Sequence, residues 1–232
     1  MTKIEIMLST EGEKALLEIL LEILREDSED DSAIFISQPH SGKGTLRPDF
    51  VLRSSKGFFV LESKLRQGYT FIEHNDSETV RFCNVYFDDE ENKFNLRKLD
   101  PNPLDQVKNY SRKLKETLKE IGYGKHAFFN SVLVFHPCQN RANPNSQIFF
   151  DGAPIDKYHP ILKNEYFTVS IGATKKFKTF YQKHKSRSPY AHPNSIGKAL
   201  EIMADGAYPK IITKENIESI SISICSQTTT AK

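Results

Sequence analysis

Two carboxylates and one ammonium group lie at the ends of two adjacent apolar runs near the start of the sequence. Asp49 begins the first run, Glu62-Ser63-Lys64 ends the second, and the SSKG segment between them is typical of a hairpin turn. Because side chains alternate faces along a strand, Glu62 and Lys64 are predicted to project from the same face. The hairpin brings Asp49 close to Glu62. The sequence therefore predicts three charged groups clustered at the end of an apolar hairpin.

A divalent cation would explain why ionised groups stand there, since such groups are unfavourable in apolar surroundings without a partner. Magnesium prefers oxygen ligands and usually takes one or two protein carboxylates together with substrate phosphate. Asp49 and Glu62 are therefore the predicted metal ligands, with the backbone carbonyl of Ser63 as a further ligand. Lys64 would orient the attacking water or stabilise charge on the phosphate. The spacing alone fits an ion pair on an edge strand about equally well.

The first predicted helix, which Ser9 or Thr10 can cap, adds a third acid to this site. At about 100° per residue, Glu11 falls on the polar face of the helix, whereas Glu13 falls on the apolar stripe that must pack on the sheet. Glu13 is therefore predicted to point toward the site and to contribute to the metal directly or through water. Stabilisation of the helix dipole by a first-turn acid is an equally weighted alternative. The other residues of the stripe are Leu17, Leu20 and Leu24.

A second helix is predicted to begin at Asn102-Pro103, because proline suits the first turn of a helix. Gln106 lies in that first turn, beside an apolar stripe. It is predicted to support the site by holding a water or a phosphate oxygen. Considered alone, Gln106 would be interpreted as an exposed helical glutamine.

Basic segments are candidates for contact with a phosphate backbone. In KKFKTFYQKHKSR (175–187), the aromatic side chains are predicted to lie on one side of a helix and the lysines on the rest. An amphipathic surface helix with a solvated lysine face fits the same pattern and is slightly favoured. Further candidates lie in the SGKGT loop and on the helix that begins at Asn102. The predicted nucleic-acid contacts are Lys43, Lys108, Arg112, Lys175, Lys176 and Lys178.

Composition excludes several other classes of protein. The 232 residues carry a net charge of only +2, so any surface that binds nucleic acid must be local. The three cysteines are widely spaced and form no CxxC pair, which argues against a zinc site or a disulfide framework. No signal peptide and no membrane-spanning run is apparent. We therefore expect a cytoplasmic protein that does not bind membranes.

The order of predicted elements is helix, strands, helix and strand. It predicts an α/β fold, borderline with α+β, in which helices flank a mixed central β-sheet. Residues 66–100 are polar and are interpreted as an insertion in which CNVYF and KFNLRKL form a hairpin. The predicted helices cover about 9–25, 102–121, 173–185 and 195–205. The predicted strands cover 33–37, 49–53, 58–65, 131–136, 147–150 and 166–171.

Four segments together resemble the nuclease-related domain family, a branch of the PD-(D/E)XK nuclease superfamily. They are GEK (12–14), RPDFVL (47–52), GFFVLESK (57–64) and NPLDQVKNY (102–110), and their order and spacing match as well. The resemblance covers about residues 9–136. It implies a restriction-endonuclease-like core whose active site contains Glu13, Asp49, Glu62, Lys64 and Gln106. We expect one nuclease-like domain over residues 1–225, with this core, the insertion and a C-terminal extension, followed by a flexible tail at 226–232.

The predicted function is metal-dependent hydrolysis of phosphodiester bonds, with DNA as the expected substrate and Mg²⁺ or Mn²⁺ as the cofactor. DNA processing or defence against foreign DNA is the expected context. One alternative is an inactive nuclease fold that only binds nucleic acid, and another is a protein-interaction subunit. The sequence leaves open whether cleavage is endo- or exonucleolytic and whether the chain forms a homodimer.

Overall fold

The structure, a computed structural model, describes residues 3–37, 47–66, 68–74, 80–88, 90–123, 128–137, 147–155, 158–163, 167–186 and 191–224. The helices in these ranges are α1 (Glu11–Glu26), α2 (Pro103–Glu120), α3 (Phe177–Lys183) and α4 (Pro193–Met203), with short 3₁₀ turns at Thr174–Lys176 and Ile217–Ser219. The strands are β1 (Ile4–Leu8), β2 (Ala33–Ile36), β3 (Phe50–Ser54), β4 (Gly57–Arg66), β5 (Tyr69–His74), β6 (Val80–Asp88), β7 (Lys93–Lys98), β8 (Phe129–Pro137), β9 (Gln147–Phe150), β10 (Ala153–Pro154), β11 (His159–Lys163), β12 (Phe167–Ala173), β13 (Lys210–Thr213) and β14 (Ile220–Ile224).

A mixed seven-stranded sheet forms the centre of the fold, in the order β11-β12-β8-β4-β3-β2-β13. Strands β4, β8 and β12 are parallel to one another, and the remaining neighbours are antiparallel. The prediction of an α/β fold with a mixed central sheet flanked by helices is confirmed. Because parallel strands run in the same direction, the carboxyl ends of β4, β8 and β12 lie together at one edge of the central sheet.

The hairpin of β3 and β4 is confirmed, with Ser54 paired to Gly57 across the turn. Gly57 has a φ of +104°, a conformation that favours glycine. Both faces of the hairpin are buried, as its continuous apolar runs indicate. Phe58 and Val60 pack in one core with α2 and α4. Phe59 and Leu61 pack in a second core with α1 and α3 on the opposite face.

Local signals in the sequence explain where the two long helices begin. Thr10 Oγ1 accepts a hydrogen bond from the Glu13 amide at 3.1 Å, and Glu13 Oε2 accepts one from the Ser9 amide at 2.7 Å. This is a form of capping box, in which side chains satisfy amides at the start of a helix. At α2, the Asn102 side chain accepts a hydrogen bond from the Leu104 amide at 2.9 Å. Both predicted helix starts are confirmed to within a residue or two.

A second sheet of five strands, in the order β10-β9-β5-β6-β7, packs one face on the core shared by α2. The predicted hairpin of CNVYF and KFNLRKL is confirmed as β6 and β7. The sequence did not reveal that β5 pairs in parallel with β9, whose register partners lie 78 residues later, because that pairing is not local. The strand predicted at 147–150 is confirmed as β9, but the sequence showed neither that it joins this sheet nor that β10 completes it.

Two other features differ from the sequence-based expectation. The helix expected over 173–185 is a 3₁₀ turn followed by the shorter α3, because β12 extends to Ala173. Strands β1 and β14 form an unexpected parallel pair that joins the two ends of the described chain. Among the described helices, none is long and apolar enough to cross a membrane.

Candidate active site

The carboxylates of Asp49 and Glu62 meet at the open end of the β3–β4 hairpin. The last register pair of the hairpin is Phe50 with Leu61, so Asp49 and Glu62 occupy the next position outward. Beyond it, the Asp49 carboxylate replaces β3 as a partner of β4, because the Ser63 amide donates to Asp49 Oδ2 at 2.6 Å. Lys64 Nζ donates to Glu62 Oε1 at 2.6 Å. The structure thus brings together the acid, acid and lysine that the spacing predicted.

Burial makes these two carboxylates harder to ionise, and the charges of neighbouring acids add to this effect. Burial raises the pKa of Asp49 well above its usual value, and the charges of Glu62 and Glu13 raise it further. The Ser63 amide and Lys64 act in the opposite direction. Burial also raises the pKa of Glu62, although Lys64 lowers it in part. A cation between such acids would remove the repulsion that raises these pKa values.

One carboxylate oxygen of Glu62 has no hydrogen-bond partner among the described residues. Its side chain is only 4% exposed, and Oε2 receives no hydrogen bond from any described residue. A buried carboxylate oxygen without a partner is unfavourable unless an ion or water binds it. Asp49 and Glu62 therefore fit a magnesium ion, whose remaining positions water and phosphate would fill. Within the described ranges, no three acid, histidine or cysteine side chains converge closely enough to hold an ion alone.

Glu13 lies at the first turn of α1, partly buried, whereas Glu11 is exposed, as their helical phases predict. Burial raises the pKa of Glu13, and hydrogen bonds from the Ser9 and Thr10 amides together with the charge of Lys64 lower it in part. The carboxylate therefore caps the helix and also acts electrostatically on the hairpin end. Its position at the first turn of the helix and its orientation toward the site are both observed, and its contribution to a metal ion stays a prediction.

Close approach of α1 to β4 and β8 depends on Gly12. A Cβ atom at this position would lie 3.2 Å from the Cβ of His136 and 3.3 Å from Ser63 Oγ, tighter than ordinary contact. Glycine therefore lets the first turn of α1 reach the strands that carry the site. His136 of β8 and Ser63 of β4 therefore both lie close to this first turn. Burial lowers the pKa of His136, and the charge of Glu11 raises it in part.

Gln106 and Tyr110 form the wall of the site that α2 contributes. Gln106 is partly buried and its Nε2 donates to the Tyr110 hydroxyl at 2.5 Å. Burial, followed by the charge of Glu62, raises the pKa of Tyr110 to about 12, and Asp49 adds to the increase. Tyr110 was missed as a site residue. Its position four residues after Gln106 was the available signal, since such residues are neighbours on a helix.

The predicted nucleic-acid contacts occupy different environments. Lys175 and Lys176 are exposed and directly follow β12, at the sheet edge where β4 also ends. Lys178 instead donates to Glu22 and Glu26 of α1, at 3.0 and 2.7 Å. The aromatic side of α3 is confirmed as buried against Phe59. Of the others, Lys108 is partly buried, Arg112 pairs with Glu116 at 2.9 Å, and Lys43 lies outside the described residues.

Comparison with known proteins agrees with this arrangement. The model of the nuclease-related domain family matches residues 9–136, which is more than half of the chain. That range contains α1, the β3–β4 hairpin, α2 and β8, which are the elements that build the site. The chain has no significant match among curated proteins or solved structures. The chain therefore belongs to the nuclease-related domain family, a placement consistent with the PD-(D/E)XK superfamily.

Proposed function

We propose that the chain is a magnesium-dependent nuclease that hydrolyses phosphodiester bonds in DNA. The observation that carries this proposal is the convergence of Asp49, Glu62 and Lys64 at one sheet edge, where a buried oxygen of Glu62 has no hydrogen-bond partner among the described residues. A structural ion pair between Glu62 and Lys64 would not require a second, partly buried carboxylate beside it. Membership of a nuclease-related family supports the same conclusion.

In this proposal Asp49 and Glu62 hold the ion, together with the Ser63 carbonyl, and Glu13 contributes through water. The ion would supply charge stabilisation at the phosphate and lower the pKa of a bound water. Lys64 is 20% exposed while Glu62 is 4% exposed, so the ammonium lies on the solvent side of the carboxylate. It is therefore placed to donate to the attacking water or to a phosphate oxygen.

Gln106 and Tyr110 have a supporting role in the proposed site. The Tyr110 hydroxyl accepts a hydrogen bond from Gln106 and is protonated near neutral pH, as an ordinary tyrosine is. Burial and the charge of Glu62 raise its pKa further, to about 12. Its proton is thus available to a carboxylate or a phosphate oxygen. Lys175 and Lys176 would contact the phosphate backbone at the same sheet edge.

The test is a cleavage assay on supercoiled plasmid and on single-stranded DNA with Mg²⁺ or Mn²⁺, with RNA of the same sequence for comparison. Lys64→Ala and Asp49→Ala should each lower the rate by about 100-fold or more. Lys119→Ala is the matched control, because Lys119 is exposed near the far end of α2, about 20 Å along the helix from Gln106. It should retain the parental rate.

Undiminished cleavage by both site variants would refute the proposal. A different result would replace it: if the parental protein binds DNA in a salt-sensitive manner but never cleaves it, the chain is a nucleic-acid-binding module on a nuclease fold.

A further inference from the structure

A cavity of about 610 Å³ opens beside the candidate active site. It lies between α1 and the ends of β8 and β12, and the second sheet contributes to its far side. Its apolar lining includes Ala15 and Ile19 of α1, Ile148 of β9 and Ile155 just after β10. Small-molecule sites typically have volumes of about 300–1,000 Å³ and mostly apolar walls with a few polar groups. The cavity therefore has the size and lining of a ligand site.

The strand register places this cavity next to the proposed reaction centre. Phe135 and Ala173, which line it, stand in one row with Lys64 across β8, β12 and β4. Neighbouring strands are about 4.8 Å apart, so Ala173 lies about 10 Å from Lys64 along that row. His136 contributes to the lining as well, and it is packed close to Gly12 beside Ser63. A nucleotide adjacent to a phosphate at Lys64 would reach the cavity.

The polar groups of the cavity suit a nucleobase joined to a phosphate. The imidazole of His136 offers a flat face for stacking, a common way of binding unpaired bases. Glu18 is exposed at the rim and offers a carboxylate to an exocyclic amino group, as acids do toward cytosine N4. Lys175, also exposed at the rim, offers a cation to the phosphate. Glu22 is already paired with Lys178 at 3.0 Å.

We propose that this cavity binds one unpaired nucleobase of the strand that is cleaved, next to the scissile phosphate. The inference rests on the proposed nuclease function and assigns to it a preference for unpaired strands. A base in the cavity is withdrawn from its stack, which is least unfavourable where the strand is already single. Glu18 favours a base that carries an amino group over thymine.

The first test measures binding of the whole protein, with divalent ions chelated, to a short labelled single-stranded DNA by fluorescence anisotropy. A single abasic site is moved along the oligonucleotide one position at a time. We expect one position to weaken binding about tenfold, the scale of one stacked base, and the others to matter less. Equal effects at all positions, or no effect at any, would overturn the proposal.

Two variants connect that position to the cavity. Ile19→Trp places an indole in it and should remove the difference between intact and abasic DNA, whereas Ile202→Trp, at a 48% exposed site on α4, should keep the difference. Glu18→Ala changes only an exposed side chain, so folding is not at risk, and it should remove the preference for cytosine over thymine. Glu29→Ala, another exposed acid, is its control. Unchanged base preference in Glu18→Ala would count against the cavity.

The binding arm needs no catalysis, so it separates this inference from the proposed function. If the protein never cleaves DNA but the abasic position and Ile19→Trp behave as expected, the base site stands and the nuclease proposal fails. If the parental protein cleaves DNA and Ile19→Trp cleaves intact and abasic DNA at the same ratio of rates as the parent, only the base-site proposal fails. Free mononucleotides form a last arm: their binding, without any position effect in the oligonucleotide, would assign the cavity to a free nucleotide and overturn the strand proposal.

Discussion

Replacing Asp49 by asparagine should stabilise the metal-free protein while removing its response to magnesium. Asp49 and Glu62 are cross-strand neighbours next to the Phe50–Leu61 pair, which corresponds to about 5 Å between side chains. At an effective dielectric constant near 20, two charges at that distance repel by about 3 kcal/mol. Lys64, 2.6 Å from Glu62, offsets part of this. Asparagine keeps an oxygen for the Ser63 amide and offers an N–H to Glu62.

We therefore expect Asp49→Asn to raise the free energy of unfolding by about 1–2 kcal/mol in chelator, or its melting temperature by about 2–8 °C. The pH dependence follows from the raised pKa of Asp49. Its ionised form destabilises the folded protein fully above that raised pKa. This destabilisation decreases as the pH falls through the raised pKa of the folded state, and it is absent below about 3.8, the pKa of the unfolded state. The gain should thus be largest near pH 8 and smaller at pH 5.

The second measurement is the stabilisation of each protein by magnesium. At about 100 times its dissociation constant, a ligand stabilises the folded state by about 2.7 kcal/mol, and Asp49→Asn should lose most of that increase. Asp30→Asn, the same change at an exposed turn residue, should alter neither quantity by more than about 0.5 kcal/mol. A variant that is less stable than the parent in chelator, or that responds equally to magnesium, would refute the reasoning.

Three further predictions concern other parts of the fold. Tyr110→Phe should lower the cleavage rate about tenfold or more without changing stability much, measured with unfolding as a control, because it removes the hydroxyl that Gln106 orients. Gly12→Ala should lower cleavage more than stability, because its Cβ would press on His136 at 3.2 Å and shift the first turn of α1, and a crystal structure would show the shift. Asp27→Asn should reduce stability by about 1–3 kcal/mol at pH 7, measured by denaturant unfolding. Burial raises the pKa of Asp27, but its hydrogen bonds, led by the one from the Tyr181 hydroxyl at 2.6 Å, lower the pKa overall. The stability lost in Asp27→Asn should therefore disappear as the pH falls below about 3.8 and through the lowered pKa of the folded state.

Local periodicity was sufficient to predict several parts of the candidate site. The helical phase separated partly buried Glu13 from exposed Glu11, and the alternation of a strand placed Glu62 and Lys64 on one face. Asn102-Pro103 marked the start of α2. These features depend on the backbone geometry within a few residues. That geometry is the same whatever the rest of the chain does.

Features that join distant segments were not predicted from the sequence. The pairing of β1 with β14 and of β5 with β9 depends on contacts across many residues, and neither pair carries a turn signal that sets its register. Tyr110 belonged to the apolar stripe of α2 by its phase, and only packing against the hairpin end gave its hydroxyl a place near Glu62. The cavity near Lys64 has the same origin, since α1, β8, β12 and the second sheet together enclose it.

The sequence by itself determined which residue types stand at the hairpin end: two acids, a lysine and the apolar runs that force them to one edge. Only the tertiary structure decided that the Ser63 amide donates to Asp49, and that one Glu62 oxygen has no hydrogen-bond partner in the part of the chain that the structure describes. It also decided that Gly12 lets α1 pack close to His136. The physical reason is that the direction of a side chain and its distance from other groups are set by different parts of the structure. Backbone periodicity sets the direction in which a side chain points, whereas burial and electrostatic coupling depend on distances that are fixed only when separate elements pack together.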